Sequence, residues 1–268
     1  MSTRKLLITA AALVILSSSA VFPQSMSGSM TADSDMKTMA KKNNGLKSKT
    51  QMKMTKFKVR IENVSNAEGF TASNGMKWPF AISPGAYAVH HGAGNPLFML
   101  GKYATKALEA QAEDGHPEML VAMASHHMGS RRSGFYNTPV GAMAGGPVGP
   151  GAAFEFEITA MRGAHLFLTF MFGQSNDLFY GNEKAIALFD ANGNPVSGDV
   201  TAQLDLWDAG TEVNEEPGVG LNQAPRQKAA NTGASERKRV GPVKDGFIYP
   251  NTTDVLRITV APITDGMM

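Results

Sequence analysis

Two runs in this chain alternate apolar and charged side chains, Phe57-Lys58-Val59-Arg60-Ile61 and Phe154-Glu155-Phe156-Glu157-Ile158. A period of two sends every second side chain to one face, so each run reads as a strand with one dry and one wet side. Residues 165–172 are instead almost continuously apolar, the pattern of an inner strand. Further strands are expected at 185–189 and 200–207, joined through Asn192-Gly193-Asn194, and at 256–260, which closes the domain. One stretch, 103–113, spaces Ala104, Ala107, Leu108 and Ala112 as a helix does, with Gly115 as its stop, and 117–124 adds a turn or two. Residues 141–151 form a Gly/Pro/Ala loop. Many short strands without a βαβ rhythm predict an all-β antiparallel β-sandwich with a short helical insertion.

The chain opens with Arg4 and Lys5, an apolar stretch at 6–16 and small residues at 17–20, which reads as a secretory leader over 1–20. Residues 21–55 are rich in Ser, Met, Lys and Thr and poor in branched or aromatic side chains, so a disordered tether is expected there and the folded domain over 56–264. The leader's apolar run is too short to span a bilayer, and no later stretch is long and apolar enough. A secreted or periplasmic protein follows. The chain has no cysteine, which excludes disulfides, thiolate metal centres and thiol catalysis. Its formal net charge of +2 is too small to argue for nucleic acid as a partner.

Asp177 follows the inner strand, and Asp208 and Glu212 follow the strand ending at Trp207. If consecutive strands run antiparallel, residues 175–181 and 208–212 emerge at the same end of the sandwich. Three carboxylates gathered there would repel one another, and a divalent cation converts the repulsion into attraction. Ca²⁺, with six to eight oxygen ligands, suits such a set better than octahedral Mg²⁺. The plainer alternative is that Asp177 caps a turn, Asp208 forms an Asx-turn and Glu212 is solvated.

The pattern Ser175-Asn176-Asp177-Leu178-Phe179-x-Gly181, followed by Leu206-Trp207-Asp208-Ala209-Gly210-Thr211-Glu212, resembles the spondin N-terminal domain. Residues 57–263 fall within the resemblance. It implies a C2-like β-sandwich with Ca²⁺ at one end, and by position Asp177, Asp208 and Glu212 match the family's acidic metal residues. Animal members usually carry Asp where this chain has Glu212, and they have cysteines and thrombospondin-type repeats that it lacks. Glu215 is an additional candidate ligand or a solvated loop charge. The resemblance implies a non-enzymatic binding or adhesion module whose partner is an unknown extracellular protein or glycan.

Other constellations point less sharply. His90-His91 and His126-His127 are adjacent pairs, and neighbours on a strand face opposite ways, so chelation within a pair is hard. Together with Met26, Met30, Met36, Met39, Met52 and Met54, they support an alternative: a periplasmic copper- or metal-handling protein. Arg237-Lys238-Arg239 reads as a solvated basic loop, and Trp78 and Trp207 as core anchors. No nucleophile elbow, zincin helix or phosphate-binding Gly loop is present.

Overall fold

Strand β1 (Met54–Asn63) lies between two antiparallel partners, β6 (Ala153–Met161) and β13 (Leu256–Pro262). Val59 faces Phe156 on one side and Val260 on the other, and Ile61 faces Phe154 and Ile258. The period-two pattern therefore aligns across three strands, and Phe57, Val59, Ile61, Phe154, Ile158 and Ile258 all turn inward. Lys58 and Glu155, on the wet face, form an ion pair of 2.8 Å. With β10 (Gly198–Asp199) at its edge, this is a four-stranded sheet in the order β10-β13-β1-β6.

The computed structural model describes residues 54–92, 94–128 and 132–264, with the side chains of 127 and 128 excepted. The expected leader and nearly all of the expected tether lie outside the described residues. A second, seven-stranded sheet runs β12-β11-β8-β7-β4-β5, with β9 beside β7. Its members are β4 (Ile82–His90), β5 (Ser133–Tyr136), β7 (His165–Phe172), β8 (Leu178–Gly181), β9 (Ile186–Ala187), β11 (Asp205–Asp208) and β12 (Gly241–Pro242). The two packed, mostly antiparallel sheets make the all-β sandwich that the pattern predicts. A short ribbon, β2 (Phe70–Thr71) with β3 (Lys77–Trp78), pairs with neither sheet, but its Trp78 packs into the core against Phe172.

Strand β7 explains its own apolar run. Leu166, Leu168, Phe170 and Phe172 face the core between the sheets, where Phe172 stacks on Phe80 at 5.4 Å. Phe167 faces the opposite way, into a second cluster with Ala86, Ala88, Phe179 and Trp207. Helices α1 (Lys106–Asp114) and α2 (Glu118–Met128) cover that outer face with Leu108, Ala112, Leu120 and Ala124. A strand dry on both sides cannot alternate.

Helix α1 begins where Thr105 Oγ1 accepts the Leu108 N–H, at 3.1 Å, and ends at Gly115, in the left-handed region at φ 69°. Gln111 anchors it to the sheet by donating to the Pro84 carbonyl. Helix α2 runs farther than 124, and β5 carries no period that would announce it. Residues 200–207 are not one strand. Val200 bonds to Ile258 in the smaller sheet, residues 201–203 form a 3₁₀ turn, and only 205–208 pair with β8. The chain crosses from one sheet to the other there, so neither sheet holds the whole run. For the same reason 185–189 shortens to β9. A last one-turn helix, α3 (Thr252–Val255), precedes β13. No helix among the described residues is long and apolar enough to cross a membrane.

Candidate functional site

The acidic end is built by the turn between β7 and β8. Ser175 Oγ donates to the Phe172 carbonyl at 2.6 Å and accepts from the Leu178 N–H at 3.1 Å, which closes the turn. Asp177 is thereby fixed just before β8, fully buried. Strand β11 pairs with β8 so that Asp208 stands opposite Leu178, and the Ala209 N–H reaches the Asp177 carbonyl. The turns carrying Asp177 and Asp208 are therefore neighbours.

Their hydrogen bonds assign each oxygen. Asp177 Oδ2 accepts from the Thr211 N–H at 2.7 Å, the Thr211 hydroxyl at 3.1 Å and the Glu212 N–H at 3.1 Å. Asp177 Oδ1 is buried and has no partner among the described residues. Asp208 makes an Asx-turn, Oδ1 accepting from the Gly210 N–H at 2.7 Å, while Oδ2 accepts from Asn214. Gly210 needs its positive φ of 69°, and a Cβ there would stand 2.7 Å from the Lys238 carbonyl.

Glu212 is buried rather than solvated, but it turns elsewhere: its Oε1 accepts from the Gly233 N–H at 3.0 Å, while Asn176 donates to Glu215 instead. Glu215 folds back on Asn222, accepting from its N–H at 2.9 Å and from its side chain at 3.1 Å. Among the described residues no group of three or more Asp, Glu or His side chains gathers in an arrangement ready to hold a metal ion.

The structure adds a carboxylate that the sequence did not mark. Glu113, in the last turn of α1, is 3% exposed and leaves Oε2 buried without a partner among the described residues. It lies off the apolar stripe of its helix, so no local pattern announces it. Burial raises its pKa to about 7, with the charges of Glu212, Glu109 and Asp177 adding to the shift. Burial and the Asp208 charge raise Asp177 to about 7 as well, against the pull of the Thr211 and Glu212 donors. Burial also raises Asp208 and Glu212.

A pocket of about 590 Å³ is lined by Glu113, Glu212 and Glu236 together with Tyr103, Lys106 and Lys238. Lys238 pairs with Glu236, and Arg239 donates to the Gly101 carbonyl and lies over the Tyr103 ring at 4.9 Å. All three residues of the basic triplet are exposed, as expected of a solvated loop, although Lys238 and Arg239 also have these partners. Trp207 is a core anchor whose Nε1 donates to the Gly181 carbonyl at 2.9 Å, and Trp78 is buried against Phe70. Of the histidines, His126 is exposed, and the side chain of His127 lies outside the described residues, as do the methionines of 21–53.

The donor set suits a hard cation in two respects. The side chains are carboxylates, and two buried carboxylate oxygens, Asp177 Oδ1 and Glu113 Oε2, have no partner among the described residues. It departs from the expected triad in that Glu212 is engaged by backbone. No protein-family model matches the chain, and no curated protein is significantly similar to it in sequence.

Proposed function

We propose that this chain is an exported, calcium-binding β-sandwich of spondin type, a non-enzymatic module for binding or adhesion at the cell surface or in the periplasm. The observation that carries the reading is Asp177 Oδ1, a carboxylate oxygen removed from water and without a partner among the described residues, with Asp208 alongside. An uncompensated buried carboxylate is costly, and a divalent ion is the partner that offsets it. Asp177 and Asp208 are the residues to hold Ca²⁺, with Glu113 and Glu212 beside them and loop carbonyls or water filling the remaining positions. The ion's part is structural. It fixes the turns after β7 and β11 and presents their edge to an extracellular protein or glycan.

Elemental analysis of the purified chain and melting curves with and without chelator test the reading. Calcium near one equivalent, and a melting temperature that falls on chelation and returns with Ca²⁺ but not Mg²⁺, are the expected results. Metal-free protein with a melting curve indifferent to both ions would overturn it.

A further inference from the structure

At the other end of β7 the donors are nitrogens. His165, its first residue, pairs in register with His90, the last residue of β4. Directly opposed residues of antiparallel strands share a face, with Cβ atoms about 5 Å apart. Ala88 and Phe167, one alternation inward on that face, belong to the cluster covered by the helices, so the two imidazoles mark its rim. Each ring has an Nδ1 shielded from water with no hydrogen-bond partner among the described residues. The His90 ring lies against the Gly92 backbone, where an added Cβ would collide with Nε2. His91 faces the other way, towards Gly163 and a small pocket shared with Arg132. Burial and the charges of Arg132, His91 and His165 lower the His90 pKa, which keeps that ring neutral and its lone pair available at neutral pH.

We propose that His90 and His165 form a two-nitrogen site for a divalent transition-metal ion, with copper(II) held most tightly. Two neighbouring ring nitrogens shielded from water and without a partner among the described residues are each costly, and one ion shared by their unprotonated forms satisfies both. Neutral imidazole suits Cu²⁺, Ni²⁺ and Zn²⁺, and copper leads that series. Calcium, which takes oxygen, does not compete, so the site is independent of the calcium reading. Arg132 is the cation nearby that opposes binding.

Titration of the full chain with Cu²⁺, in the presence of excess Ca²⁺, tests this. Oxidised copper is used because thioethers of the methionine-rich segment favour Cu(I). Substoichiometric Cu²⁺ is expected to broaden the ring-proton signals of His90 and His165 out of the six histidines, and the copper spin-resonance spectrum is expected to show splitting from two nitrogens. His90→Asn and His165→Asn should each weaken Cu²⁺ binding by at least about tenfold. Broadening that spares these two rings or affects all six alike, a spectrum with oxygen ligands only, or unchanged affinity in both variants would overturn the proposal. If either variant fails to fold, the two spectra of the unaltered chain decide.

Discussion

The two ends of strand β7 differ in what they bury. At its C-terminal end the chain turns through Ser175 into Asp177 and gathers carboxylates, several with raised pKa values. At its N-terminal end it opens with His165, opposite His90, two rings at the rim of the helix-covered face, each with an Nδ1 that has no partner among the described residues. A buried carboxylate repels its neighbours and needs a counter-ion or a proton, whereas a half-buried imidazole lacks only a hydrogen-bond or metal partner. The oxygen end should therefore govern stability, and the nitrogen end should govern little besides its own ligand.

Acidity separates the ends most. Asp177 holds its proton to about pH 7 in the folded chain, against an ordinary value of 3.8, so the folded state binds more protons across that window. Metal-free protein is accordingly most stable near pH 4 to 5 and loses stability as pH rises through 7, by on the order of 3 kcal/mol. Chemical denaturation of chelated protein at a series of pH values measures this, and a flat profile would remove the contrast. Calcium comes next: at a hundredfold excess over its dissociation constant it should add about 2.7 kcal/mol at neutral pH. In Asp177→Asn that gain should vanish, while the side-chain carbonyl still accepts from Thr211 and Glu212 and metal-free stability at pH 8 rises by about 1 kcal/mol. Glu113→Gln should act in the same direction but more weakly, lowering calcium affinity without abolishing it, as titration calorimetry would read. The smallest effect belongs to the nitrogen end, where His90→Asn or His165→Asn should move stability by no more than about 0.5 kcal/mol. A loss of several kcal/mol there would mean that the rings hold the fold together.

Sequence legibility followed the length of each pattern. Strands β1, β6, β7 and β13 are long, and either alternation or an unbroken apolar run marks them. Strands β9 and β10 have two residues each, too few for any period, because the chain between 188 and 200 is changing sheets. Helix α2 continues through Ser125 and His126, residues of indifferent helix propensity, because β4 and β5 supply the surface it packs on. The neighbouring turns of Asp177 and Asp208 followed from antiparallel order alone. What the sequence could not give is the direction of each carboxylate. Glu212 looks equivalent to Asp208 in the motif, yet the Gly233 N–H draws it aside. Glu113 reaches the site only because α1 docks on the sheet through Gln111 and Leu108.

The pairing of β1 with β13 also has a mechanical consequence. Phe57, near the start of the domain, faces Pro262, near its end, and the Ile263 N–H bonds to the Lys56 carbonyl. A pull between the two ends would act across this ladder rather than along it, loading its rungs one at a time like a zipper. Were the domain strung between two anchors, it would open at low force from that margin, and the turns bearing Asp177 and Asp208, which belong to the other sheet, would be reached only afterwards.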